Sequence, residues 1–123
     1  MRLFACILIL AWGSGRAFAD PCADVAKNYS AIGTAECAAD TFAKADASLN
    51  EAYQKVVRHL KERGRDLKPL ITAERAWIVE RDARCDQKAK EDDLIDATGS
   101  AAILDCKADW TKARIATLND YLR

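Results

Sequence analysis

The sequence has few of the residues on which catalysis and tight turns commonly depend, and it has no excess of positive charge. It contains a single histidine, His59, with no nucleophile motif beside it, so we expect neither an enzyme nor a bound cofactor. The formal net charge of zero argues against nucleic acid as a partner, because nucleic-acid-binding proteins normally carry a clearly basic face. Only two prolines and five glycines interrupt the chain, and no segment alternates apolar and polar residues long enough to predict a strand.

The sequence also lacks a long hydrophobic run. Its longest, residues 3–12, has about ten residues, whereas a membrane-spanning helix needs roughly 20. A basic residue precedes this run and Ala17-Phe18-Ala19 follows it, which is the order of a secretory signal peptide. We therefore predict that residues 1–19 are cleaved on export, that Cys6 carries no lipid, and that residues 20–123 form one helical domain without a stable membrane anchor. Since residues 1–19 hold two of the 19 basic residues and none of the 19 acidic residues, the predicted mature chain has a net charge of −2.

Four cysteines remain after the predicted cleavage: Cys22, Cys37, Cys85 and Cys106. An even number in a small exported domain indicates a disulfide framework, for which three connectivities exist. The alternative, a zinc site, typically has closely spaced Cys and His pairs, and the spacings here are wide. Loop length favours pairing Cys22 with Cys37 and Cys85 with Cys106, each of which would stabilise the fold by about 3 kcal/mol in the chain-entropy model.

Apolar residues recur every three or four positions in three segments, which predicts three amphipathic helices. We expect them at about Thr34–Arg63, Asp66–Asp93 and Ser100–Leu122, with Asp66 as an N-cap. The expected inward residues are Ala38, Phe42, Ala45, Leu49, Tyr53, Val56 and Leu60 in the first helix, Leu67, Leu70, Ile71, Trp77, Ile78 and Cys85 in the second, and Leu104, Ala108, Thr111, Ile115, Leu118 and Leu122 in the third. The predicted fold is all-α: a compact bundle of three main helices plus a short N-terminal helical turn, braced by two disulfides.

A cluster of polar residues is expected between the helices. Arg81 lies one turn after Trp77 beside an apolar stripe, where an unpaired guanidinium would be costly. The candidate members of this interhelix network are Asp46, Asn50, Tyr53, Trp77, Arg81, Asp82, Thr111 and Arg114. Such a cluster can bind a ligand or hold the helices in register, and we favour the second interpretation because buried polar networks commonly fix helix register.

The same residues form motifs that resemble a known family. The matching positions are Asp46, Leu49, Asn50 and Tyr53 in an Asp-x-x-Leu-Asn-x-x-Tyr pattern, then Trp77, Arg81, Asp82 and Cys85, and finally Cys106, Thr111, Arg114 and Leu118. Together with an early cysteine before Glu36-Cys37, this combination resembles the LprI-like lysozyme-inhibitor family of small exported bacterial proteins. Glu74 departs from the pattern, which usually has Gln there. The shared motifs look like scaffold, so the resemblance implies the fold more directly than the activity.

The resemblance implies an exported, non-catalytic binding protein whose partner is a protein such as lysozyme. Because a lysozyme cleft holds two catalytic carboxylates, the candidate contact is the basic segment with Lys61, Arg63, Gly64 and Arg65. The acidic stretch Glu91–Asp96 is the competing surface. The alternative function is a periplasmic envelope interaction or stress protein that has a different partner and inhibits nothing. Both hypotheses place the mature chain in the periplasm or outside the cell.

Overall fold

The computed structural model describes residues 22–23, 31–93 and 97–123. These residues form three helices and no strand: α1 (Ala31–Glu62), α2 (Lys68–Glu91) and α3 (Ala97–Asp120). The predicted all-α bundle of three main helices is therefore confirmed. Of the expected N-terminal turn, Cys22 and Ala23 are helical, and the predicted signal peptide lies outside the described residues.

A glycine-based turn ends α1. Gly64 has a φ of +62°, the left-handed conformation that glycine adopts without strain. Its N–H donates to the Lys61 carbonyl at 3.0 Å, and the Arg65 N–H donates to the Leu60 carbonyl at 2.9 Å. These two hydrogen bonds form a Schellman motif, which satisfies the last carbonyls of the helix.

The start of α2 follows at once. The Asp66 Oδ1 accepts a hydrogen bond from the Lys68 N–H at 3.0 Å, and Pro69 lies in the first turn of the helix. The helix thus begins two residues later than expected. The prediction of Asp66 as its N-cap is wrong, because the N-cap is Leu67, although Asp66 does satisfy one of the N-terminal amides.

The third helix holds the bundle together. α3 packs along α1 and, less extensively, against α2, whereas no Cα atoms of α1 and α2 approach within 8 Å of each other. Buried alanines on α1 and α3, such as Ala45 and Ala108, let these two helices approach closely. The main buried cluster draws on all three helices and consists of Leu49, Ala52, Val56, Leu70 and Leu118. Because the backbones of α1 and α2 do not pack against each other, a groove remains open between the two helices.

The inward face of α2 differs from the expectation. Its buried residues are Leu70, Glu74, Arg81, Cys85 and Ala89. The prediction that Ile78 faces inward is wrong, since 42% of this residue is exposed, and Trp77 is half-buried rather than largely buried. The inward face of α2 thus includes two charged residues, while Ile78 lines the groove between α1 and α2.

Both predicted disulfides are present. Cys22 pairs with Cys37 and ties the N-terminal segment to α1, while Cys85 pairs with Cys106 and ties α2 to α3. Disulfides of this kind are typical of proteins outside the reducing cytoplasm. Among the described residues, no helix is both long and apolar enough to cross a lipid bilayer.

Candidate functional site

The connection between α1 and α2 forms a basic turn, which we define as residues 61–68. Apart from the half-buried Leu67, every residue of this turn is exposed. Its cations are Lys61, Arg63, Arg65 and Lys68, and its acids are Glu62 and Asp66, which gives a net charge of +2. No ion pair in the described part of the chain involves any of these four cations.

The backbone of the basic turn is fixed although its charged side chains are exposed. The Schellman hydrogen bonds hold residues 60–65, and Leu60 packs against the main buried cluster. A partner that contacts the exposed cations therefore meets a preorganised backbone and has no internal ion pair to break, and both features lower the free-energy cost of binding.

The interhelix network centres on Arg81, which is 7% exposed. Its Nε donates to Asp82 Oδ1 at 2.9 Å, and its Nη1 donates to Thr111 Oγ1 on α3 at 3.3 Å. Asp46 on α1 lies at the limit of an ion pair, with its Oδ1 4.0 Å from Arg81 Nη1. The structure therefore brings Arg81 together with groups from all three helices.

Two aromatic rings also contact the Arg81 guanidinium. Its central carbon lies 5.2 Å from the centroid of the Phe42 ring and 5.1 Å from that of the Trp77 ring. Arg114 approaches the same Trp77 ring, with 5.7 Å between its guanidinium carbon and the ring centroid. Cation–π attraction thus contributes to holding both cations in the bundle.

Asp82 is the acid that Arg81 holds most closely, and Lys107 Nζ lies 3.5 Å from the same carboxylate. Partial burial raises the pKa of Asp82, but the hydrogen bonds and positive charges of Arg81 and Lys107 outweigh this effect and hold its pKa below the ordinary value. Asp82 is therefore a carboxylate at neutral pH and balances part of the positive charge between α2 and α3.

Sequence reasoning missed a second buried ion pair. Arg114 on α3 donates through Nε to Glu74 Oε1 on α2 at 2.7 Å, and its Nη2 donates to the same oxygen. The two side chains are 15% and 10% exposed. Arg114 is thus paired with Glu74, and what it shares with Arg81 is the contact with the Trp77 ring. The signal that could have found Glu74 is its place on the helix, one turn after the buried Leu70.

The gap between the first two helices is a groove of about 390 Å³, which we call the α1–α2 groove. Its lining residues are Asp46, Leu49, Asn50, Tyr53, Ile71, Glu74, Arg75, Ile78 and Arg81. The sequence pattern places Asn50 and Tyr53 in the interhelix network, but neither forms a hydrogen bond within the described residues. Asn50 is exposed and Tyr53 is half-buried, so both side chains are open to the groove.

The competing acidic surface lies at the end of α2. Glu91, Asp92 and Asp93 are exposed, whereas Asp96 lies outside the described residues. Gln87 donates to Glu91 at 2.8 Å and Lys88 pairs with Asp92 at 3.3 Å, so two of these three carboxylates already have partners on their own helix. No group of three His, Cys, Asp or Glu side chains in the described ranges is arranged to hold a metal ion.

Comparison with known proteins gives one finding. The model of the family described as "Lysozyme inhibitor LprI" matches residues 22–118. No curated protein and no solved structure matches the chain. The matched span begins at the first disulfide cysteine, ends at the buried Leu118, and includes all three helices through most of their length. The chain therefore belongs to the LprI lysozyme inhibitor family.

Proposed function

We propose that this protein is an exported, non-catalytic binding protein that inhibits a lysozyme or a related muramidase. The description of its family supports the inhibitory activity. The predicted signal peptide at residues 1–19 and the two disulfides support a periplasmic or secreted location. The mature chain would act there by occupying the enzyme's cleft.

The observation that carries this proposal is the basic turn with its unpaired cations. A muramidase cleft contains two carboxyl groups on either side of the scissile bond, and it is wide enough to admit a polymeric substrate. Arg63 and Arg65 flank Gly64 at the tip of the turn, so both guanidinium groups can enter a cleft ahead of the helices. A guanidinium that meets a carboxylate in such a cleft can form two parallel hydrogen bonds.

The acidic end of α2 is a weaker candidate for this contact. Its carboxylates could attract a basic enzyme surface, but Glu91 and Asp92 are already engaged by Gln87 and Lys88. Binding through them would exchange existing interactions for new ones. The cations of the basic turn have no such internal partners within the described residues.

The test is a titration of muramidase activity with the purified, oxidised protein, using lysozymes of several classes. The variant Arg63→Ala, Arg65→Ala removes the two guanidinium groups from the turn. The matched control, Arg84→Ala, Lys90→Ala, removes the same charge from exposed positions of α2 that lie about 24 Å or more along the helix from its start. Circular dichroism establishes that each variant is folded.

We expect wild type and control to inhibit alike. The turn variant should lose about 2–5 kcal/mol of binding free energy, because truncation leaves the enzyme's carboxylates unpaired. This loss raises the inhibition constant about 30-fold or more. Equal inhibition by all three proteins would exclude the basic turn and favour Glu91, Asp92 and Asp93. No inhibition by wild type in any lysozyme class would refute the proposed function and favour an envelope partner.

A further inference from the structure

We infer that the α1–α2 groove binds a small neutral polyhydroxy ligand of the chemical class of a sugar. This inference is independent of lysozyme inhibition, since the groove and the basic turn share no residue. The groove volume of about 390 Å³ lies within the range of 300–1,000 Å³ that is common for small-molecule sites. Along α1 it runs from residue 46 to residue 53, a length of about 10 Å, which suits one or two sugar rings.

One residue that lines the groove, Glu74, has a carboxylate oxygen without a hydrogen-bond partner in the described residues. Both hydrogen bonds from Arg114 go to Glu74 Oε1, and Oε2 of the same carboxylate accepts none within the described residues. In that part of the chain no buried side-chain oxygen or nitrogen lacks a partner, so Oε2 must be accessible to solvent. Glu74 lines the groove and is only 8% exposed, so we place this oxygen on the groove side of the residue. A ligand hydroxyl can donate to it.

Other side chains that line the groove supply both hydrogen-bond donors and hydrogen-bond acceptors. Asn50 on α1 offers an amide that can donate and accept, Tyr53 offers a hydroxyl, and Arg75 on α2 offers an exposed guanidinium without an ion pair in the described residues. The lining also includes the apolar side chains of Leu49 and Ile78. A sugar ring matches this combination, because its hydroxyls donate and accept while its C–H faces pack on apolar and aromatic side chains.

The charge of the groove argues against an ionic ligand. Its two acids, Asp46 and Glu74, are balanced by Arg75 and Arg81, and both buried charges already have counter-ions: Arg114 for Glu74, and Asp82 for Arg81. A bound ion would lose its hydration without gaining a net opposite charge, which is unfavourable. A neutral ligand avoids this penalty and keeps the existing ion pairs intact.

The experiment is an NMR titration of the oxidised mature protein, following backbone amide resonances of the groove. The probes are the neutral disaccharide of N-acetylglucosamine, maltose, and a capped neutral tripeptide, each added to about 10 mM so that millimolar affinities are detected. The variant Asn50→Ala removes one wall amide. Its matched control is Asn119→Ala, which truncates an exposed asparagine on α3 that does not line the groove.

We expect at least one disaccharide to shift the resonances of Asn50 and Arg75. Asn50→Ala should weaken this binding about 2- to 12-fold, the range for one lost hydrogen bond, while Asn119→Ala leaves it unchanged. Three results would overturn the inference: no disaccharide shifts groove resonances, the tripeptide binds the groove as tightly as the disaccharides, or both variants bind like wild type. None of these results depends on lysozyme, so failure here is distinct from failure of the proposed function.

Discussion

Breaking the buried ion pair between Glu74 and Arg114 should destabilise the fold far more than breaking an exposed pair. Arg114→Ala leaves the Glu74 carboxylate between α2 and α3 without a counter-ion, and removing one partner of a buried pair costs about 3–5 kcal/mol. The two side chains are 15% and 10% exposed, so water still reaches them in part. We therefore expect a loss at the lower end, about 3 kcal/mol in the free energy of unfolding.

The assay is urea denaturation followed by the helical signal in circular dichroism. With an m-value of about 1–3 kcal/mol per molar urea, the midpoint should fall by about 1–3 M. The control is Lys55→Ala, which breaks a pair with Glu51 at 2.8 Å whose side chains are 51% and 69% exposed. Exposed pairs contribute about 0–1 kcal/mol, so this midpoint should barely move. If Arg114→Ala costs no more than Lys55→Ala, burial does not set the strength of the Glu74–Arg114 pair and the reasoning is refuted.

Three further predictions follow from the helices and their connections. Asp82 has a lowered pKa in the folded state, so its contribution to stability is fully present when the pH is above its ordinary pKa of 3.8. The contribution is lost as the pH falls through the folded-state pKa. Asp82→Asn should therefore lower the stability at pH 7 and reduce the loss of stability in acid, as measured by thermal unfolding between pH 2 and 7. Gly64→Ala should cost about 1 kcal/mol in urea unfolding, because φ is +62° although no atom lies within 4 Å of the added Cβ; an unchanged midpoint would contradict the strain argument. Removing the Cys85–Cys106 disulfide with two serines should cost about 3 kcal/mol for cysteines 21 positions apart, and a variant as stable as wild type in denaturant would disprove this.

The sequence pattern predicts the helices well because their apolar stripes are regular. On α1 and α3 the buried residues Leu49, Val56, Ala108 and Leu118 all belong to the predicted inward stripes. The turn at Gly64 and the two disulfides each involve residues that are neighbours along the chain. The turn and the preferred disulfide pairing can therefore be predicted without tertiary information.

Prediction is poorer on α2 because its inward face includes charged residues. A glutamate in a helix is normally exposed, so the place of Glu74 one turn after Leu70 is a weak signal until Arg114 is known to lie opposite it. The apolar periodicity predicts that Ile78 faces inward, but this residue is 42% exposed. The α1–α2 groove was not predictable either, since it depends on how far α3 holds the other two helices apart.

The most direct test of the central claim is amide hydrogen exchange of the protein alone and in its complex with an inhibited lysozyme. The claim is that the basic turn is the surface that enters the enzyme. We predict slower exchange on binding at residues 61–68, with little change at Glu91, Asp92 and Asp93. Slower exchange confined to the acidic end of α2, with residues 61–68 unaffected, would contradict the account.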